Sequence, residues 1–254
     1  MKKEKNKFIW NAIITVVIIL ILFKLIIVIY PTQHKQQKLT ANVSVQQSFI
    51  NLNNETRVVM NLPAVDGEGM GVITQLIVEK TIGTGRTLTD IDNLLFWADT
   101  QHSIRIAKLV AGNITGKNLN DYNFVYNLRA NASLIGGPSA GAALTLATVS
   151  ALLEKPLKNN VMITGSINSD GTIGPVQEIL AKAKVAKKSG VNLFLVPLLQ
   201  SGDVVYETVK SCQEFGTQDV CTNETRPKKV NITEEAGIEI VEVSSIQEAM
   251  KYFF

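Results

Sequence analysis

The sequence predicts an α+β domain standing behind a single apolar segment. Short apolar or alternating runs bounded by turn residues read as strands, and stretches of helical length interleave with them without the regular period of a doubly wound sheet. Near the N-terminus one apolar run is long enough to stand apart from both. With 254 residues, 46% of them hydrophobic, the chain can bury one substantial core, or one domain plus an anchor.

Residues 1–7 form a basic tail, with Lys2, Lys3, Lys5 and Lys7 against Glu4 alone. Residues 8–30, from Phe8 to Tyr30, are broken only by Asn11, Thr15 and Lys24. At about 1.5 Å per residue such a run spans a bilayer as a single transmembrane helix, and Lys24 lies close enough to the far end to snorkel. Tyr30-Pro31-Thr32-Gln33 lacks the small residues of a cleavage site, so the segment is expected to be an uncleaved signal anchor. Its lysine asymmetry keeps the N-terminus cytoplasmic and the C-terminal bulk extracytoplasmic, in a single-pass cell-membrane topology. Six Asn-x-Ser/Thr sequons, at Asn42, Asn54, Asn113, Asn131, Asn223 and Asn231, agree with that side of the membrane. Cys212 and Cys221 are the only cysteines. In an oxidising compartment a disulfide closing their short loop is expected, since a two-cysteine metal site lacks further ligands nearby.

Residues 31–56 are polar, rich in Gln, Asn and Ser, and read as a stalk. The folded domain, residues 57–254, is expected to open with a strand at Val58–Leu62, a turn at Asp66–Gly69 and a returning strand at Val72–Val78. Gly83–Arg86 turns the chain into a helix over Leu94–Ala111, and Asn123–Leu128 alternates as a half-buried strand does. Leu134-Ile135-Gly136-Gly137-Pro138-Ser139-Ala140-Gly141 then brings a serine to the start of a helix, apolar on every side, that runs to about Leu153. Val161–Ile163 is a short buried strand. A helix over Val176–Ser189 sets Ile179, Leu180, Ala183 and Ala186 on one face, with Gly190 as its cap. Asn192–Pro197 is a central strand, followed by a loop-rich excursion carrying both cysteines. Ile238–Val243 is the last strand, and Ser245-x-x-Glu248 caps the terminal helix.

A serine on a tight turn beside a helix N-terminus suits a nucleophile whose attack creates an oxyanion; it equally suits a helix cap. A nucleophile needs a base. The histidines are only His34, at the expected membrane surface, and His102, at a polar helix start. A lysine can serve if burial keeps it neutral. On the 176–189 helix Lys182 borders the apolar stripe, Lys184 and Lys188 point away, and Lys187 lies in the last turn, within reach of solvent.

From Val58 onward the chain resembles the proteolytic domain of Lon, a serine peptidase family with a Ser-Lys dyad. The resemblance is carried by Gly137-Pro138-Ser139-Ala140-Gly141 before a small-residue helix, by Met162-Ile163-Thr164-Gly165, by Gly171-Thr172-Ile173-Gly174-Pro175-Val176, and by the lysine-bearing helix and Val196-Pro197. It implies Ser139 as nucleophile and Lys182 as base, with Gly137, Pro138 and Ala140 shaping the turn and the Thr164 hydroxyl helping to hold the amine. It also implies a polypeptide substrate and no cofactor or metal, and is compatible with a homo-oligomer; nothing in the sequence points to nucleic acid. Gly136 stands where many relatives have an acidic residue, Ser166 where a glutamate is common, and Gln177-Glu178 where the family has Gly-Gly; these departures bear on substrate preference and pH optimum. No Gly-x-x-x-x-Gly-Lys-Ser/Thr motif occurs in the 254 residues, and the anchor and stalk occupy the place of the Lon motor, so ATP-independent endoproteolysis is the expectation. A catalytically silent binding module is the alternative.

Overall fold

The structure, a computed structural model, describes residues 48–52, 55–90, 98–130, 137–215 and 218–254. The expected cytoplasmic tail, the apolar segment 8–30 and most of the stalk lie outside the described residues. Among the described residues no helix is long and apolar enough to cross a membrane.

The main sheet has five strands in the order β1-β2-β3-β5-β4: β1 Ser48–Leu52, β2 Glu55–Val65, β3 Gly71–Ile82, β5 Tyr122–Arg129 and β4 Thr87–Asp90. All pairs are antiparallel except β4 with β5, which run parallel. The β2–β3 turn is the expected one: Asp66 Oδ1 accepts from the N–H groups of Glu68 and Met70 at 3.0 and 2.9 Å. The sheet begins earlier than the expected boundary at 57. Residues 48–52 are a paired strand whose Phe49 packs on the core. Phe49, Ile50 and Leu52 are all apolar, but Ile50 and Leu52 are exposed and only Phe49 turns inward, so the run shows no alternation to read.

Helix α2 (Gly141–Leu153) packs on β2 and β3 of this sheet, and helix α1 (Ala98–Thr115) packs against α2. Alanine, leucine and threonine let α2 lie buried along nearly its whole length. The hydroxyls of Thr145 and Thr148 are satisfied by the carbonyls of Gly141 and Leu144 at 2.8 and 2.7 Å, and Thr148 also meets the hydroxyl of Tyr126 at 2.9 Å. Burial without a water partner would otherwise make each hydroxyl costly.

A second, parallel sheet follows in the order β12-β9-β6: β12 Glu239–Val243, β9 Leu193–Pro197 and β6 Val161–Ile163. Between β6 and β9 lie the two-residue strands β7 (Ser166–Ile167) and β8 (Ile173–Gly174), which pair antiparallel, and helix α3 (Ile179–Lys188). Strand β9 is central, as its continuous apolar run requires. Helix α3 rests on β2, β3 and β9, approaching so closely that a Cβ on Gly71 would lie 2.4 Å from the Ala181 carbonyl. It begins at Ile179 rather than Val176, for a reason that belongs to the site.

The region expected to be loop-rich is instead a long ribbon, β10 (Gly202–Phe215) paired with β11 (Gln218–Asn231). Cys212 and Cys221 face each other across it and are joined by a disulfide. Nearly every residue of the ribbon whose exposure is described is exposed or half-exposed, so neither face imposes the apolar alternation that marks a half-buried strand. The chain returns through the short helix α4 (Ile232–Ala236). Helix α5 (Ile246–Phe253) ends it, capped by Ser245 Oγ, which accepts from the Glu248 N–H at 3.3 Å. Glu248 completes the cap by accepting from Ser244 rather than from Ser245.

Candidate active site

Ser139 lies in a single 3-10 turn, Pro138–Ala140, immediately before α2. Pro138 presets the turn, and Gly137 enters it at φ 108, ψ 162, a combination available in practice only to glycine. A Cβ there would meet nothing within 4 Å; the requirement is one of backbone, not of space.

The segment after β6 holds the turn from behind. The Gly165 N–H donates to the Ser139 carbonyl at 3.0 Å, and the Ala142 N–H donates to the Gly165 carbonyl at 3.0 Å. The Gly141 N–H is taken by the Pro138 carbonyl. The Ser139 N–H, ahead of the first helical bonds, is a donor placed to meet an oxyanion at this turn. Thr164 is buried, and its hydroxyl donates to the Ser139 carbonyl at 3.4 Å. It is placed on the serine turn, and among the described residues it forms no hydrogen bond to a lysine amine.

Ser139 borders an apolar cleft lined by Leu62, Pro63 and Ala64 from β2, Leu128 from β5, Ile163 from β6, and Thr74, Thr100, Gly137 and Ala140. The helix carrying His102 contributes Thr100 to this cleft rather than the histidine, which is exposed; His34 lies outside the described residues. Among the described residues no group of three or more His, Cys, Asp or Glu is placed to hold a metal ion.

Lys182 is 4% exposed. On α3 it flanks the stripe of Ile179, Ala183 and Ala186, all buried, while Lys184, Lys187 and Lys188 reach solvent. Burial lowers its pKa below the usual lysine value, and the nearby Glu178 carboxylate opposes that lowering. The amine donates to the Gln177 carbonyl at 2.9 Å. Among the described residues no hydrogen bond joins it to Ser139. The serine helix α2 and the lysine helix α3 both pack on β2 and β3, so one pair of strands seats both.

The start of α3 is where sequence reading fell short. Glu178 adopts a left-handed conformation at φ 60 as its N-cap. The preceding Val176 has both its N–H and its carbonyl taken by the Gln200 side chain, at 3.0 and 2.7 Å. A periodic apolar pattern cannot register such a clamp. Pro175 gave no warning, because proline is favoured at the first position of a helix and so points to a start beside Val176.

Residues 112–216, which contain Ser139, Thr164 and Lys182, match the family model of the Lon protease (S16) C-terminal proteolytic domain, and the mixed α/β fold is consistent with that domain. The chain is similar to the archaeal Lon protease of Methanocaldococcus jannaschii, 28% identical over 167 residues covering 60% of this chain and 25% of the relative. It is also similar to Lon protease 2 of Bacillus subtilis, 26% identical over 200 residues covering 70% and 36% respectively, and to the peroxisomal Lon protease homolog 2 of Kluyveromyces lactis, 32% identical over 168 residues covering 59% and 16%. The chain thus spans well under half the length of each of these relatives.

Proposed function

We propose that the protein is a membrane-anchored, ATP-independent serine endopeptidase in which Ser139 is the nucleophile and Lys182 the base. The observation that carries this is the state of Lys182: a lysine 4% exposed, hydrogen-bonded to a neutral carbonyl rather than to a carboxylate, is a lysine poised to lose its proton. The similarity to Lon proteolytic domains over the segment that contains both residues supports the pairing.

In the first step the amine of Lys182 takes the proton of Ser139 Oγ as the oxygen attacks a peptide carbonyl. A neutral amine keeps two N–H donors and one lone pair, so its bond to Gln177 is compatible with accepting that proton. The Ser139 N–H stabilises the tetrahedral oxyanion, an interaction worth about 3–4 kcal/mol for a well-placed donor. The lysine ammonium then protonates the leaving amine. In the second step the neutral lysine activates water, the acyl–oxygen bond breaks, and the proton returns to Ser139. The cleft beside Ser139 favours an apolar side chain next to the scissile bond, and the substrate lies extended, bound by main-chain hydrogen bonds as an added strand.

Residues 8–30 serve as the anchor, with the peptidase domain extracytoplasmic. The described sequon asparagines Asn113, Asn223 and Asn231 are exposed and the described cysteines are paired, which supports that side. A silent binding domain is the second reading, favoured by the missing hydrogen bond between Ser139 and Lys182. Covalent labelling of Ser139 by a fluorophosphonate supports the enzyme, and absence of labelling in folded protein supports the binder. Protease added to intact cells should digest the domain; digestion only after lysis would reverse the topology.

A further inference from the structure

Among the described residues three that are not glycine adopt a left-handed backbone: Glu154, Glu178 and Leu199. Glu154 caps the end of α2. The other two flank a single side chain, Gln200. Left-handed conformations outside glycine persist where the surroundings over-determine them, and they concentrate at functional sites. Leu199, at φ 63, is 93% exposed, so burial of its side chain does not explain the conformation. Hydrogen bonds do: Glu242 accepts from the N–H groups of Leu199 and Ser201 at 2.9 and 2.8 Å, and this holds the Gln200 side chain toward Val176.

The Gln200 amide makes two opposed bonds to one residue. Its Oε1 accepts from the Val176 N–H at 3.0 Å, and its Nε2 donates to the Val176 carbonyl at 2.7 Å. Turning the amide over would set donor against donor and acceptor against acceptor, so the orientation is fixed. The clamp takes the backbone groups with which Val176 would begin a helix, and α3 starts three residues later. In a helix continued back through Val176, the Gln177 carbonyl would accept from the Ala181 N–H. Unwound, it accepts from the Lys182 amine instead, at 2.9 Å.

We propose that Gln200 is a positioning residue for Lys182: by clamping Val176 it keeps the start of α3 unwound and holds the Gln177 carbonyl where it fixes the amine. The inference rests on Lys182 being the base, and it explains how a chain with Gln177-Glu178 where Lon domains have Gly-Gly keeps the loop in place. Glu178 is the charged group acting on the amine, and it belongs to the same held loop.

The test uses Gln200→Ala, and Gln200→Glu, which keeps the shape and the acceptor while losing the donor to Val176. Turnover of an unfolded polypeptide is followed against pH in the full-length protein. The Lys182 titration is followed separately by NMR of carbon-labelled lysine in a Ser139→Ala background, where activity plays no part. Both variants should lose kcat by about 10–100-fold, as expected of a displaced catalytic group, with KM little changed. Their activity should rise at higher pH than wild type, and the Lys182 resonance should titrate closer to an ordinary lysine because water enters the loosened loop. Wild-type kcat in either folded variant overturns the proposal, as does a loss of kcat with the Lys182 titration unmoved, which would leave Gln200 merely structural. If Lys182→Arg itself stays active, the dyad assignment is what fails, and the NMR titration still reports whether Gln200 governs the environment of the amine.

Discussion

Replacing Lys182 by methionine should stabilise the protein at neutral pH while destroying its activity. The side chain is 4% exposed and meets one neutral hydrogen-bond acceptor. That bond returns about 1 kcal/mol, less than burying an ammonium costs, and the pKa is lowered in consequence. Every tenfold loss of proton affinity on folding corresponds to about 1.4 kcal/mol. Because the folded state binds this proton less tightly than the unfolded chain, stability rises with pH between the lowered folded value and the unfolded value of about 10.4. Below the folded value the penalty is present in full; above the unfolded value it is gone. Methionine has similar volume and no charge, so the variant should exceed wild type by on the order of 1–3 kcal/mol near neutrality. The gap should narrow as pH approaches 10.4. Urea unfolding of the two proteins at a series of pH values between 6 and about 10.5 measures this, and groups common to both cancel in the difference. A gap that does not change with pH would mean the amine is as easily protonated in the fold as in water, which would remove the physical basis for Lys182 as a base.

Gly137→Ala places a Cβ on a backbone at φ 108 and should cost about 1–3 kcal/mol; thermal denaturation should show a lower Tm together with lost turnover, and an unchanged Tm would refute the conformational argument. Reducing Cys212–Cys221, nine residues apart in sequence, should destabilise the ribbon by about 2–3 kcal/mol, read as faster proteolysis between 202 and 231; equal proteolysis with and without reductant would count against it. Glu154→Gln removes the anionic partner, 2.7 Å away, of the buried Lys80 and should cost about 1–2 kcal/mol at neutral pH, since Glu154 is half exposed and screened. Lys80 lowers the Glu154 pKa, so this advantage of wild type is present above the unfolded value of about 4.3 and is lost as pH falls through the lowered value; denaturation series at pH 3 and 7 would expose a gap of the wrong sign.

Much of the half that carries the candidate site could be read from the chain because local rules and tertiary demands agree there. The glycine and proline before Ser139 dictate a turn, the small residues after it dictate a buried helix, and a 3.6-residue period is enough to place Lys182 beside the apolar stripe. What escaped depends on long-range partners or on the absence of a core. Strand β1 is held by pairing to β2, with Phe49 as its one residue on the core. The β10–β11 ribbon has solvent on both faces and so carries no periodic signature. The delayed start of α3 is decided by Gln200, 24 residues away. The family pattern sets the Thr164 hydroxyl beside the lysine amine, and in the structure it donates to the Ser139 carbonyl, a choice that side-chain rotation settles and sequence order cannot.

The most direct test of the account is turnover. Full-length protein in detergent, without nucleotide and with chelator present, is incubated with a permanently unfolded polypeptide beside Ser139→Ala, Lys182→Arg and Lys187→Arg. Wild type and Lys187→Arg should cleave it at rates that rise with pH, because Lys187 reaches solvent and plays no part. Ser139→Ala should be inactive for want of a nucleophile, and Lys182→Arg because a guanidinium does not give up its proton. Wild-type rates from either of those two variants, or cleavage that appears only on adding ATP, would contradict the central claim.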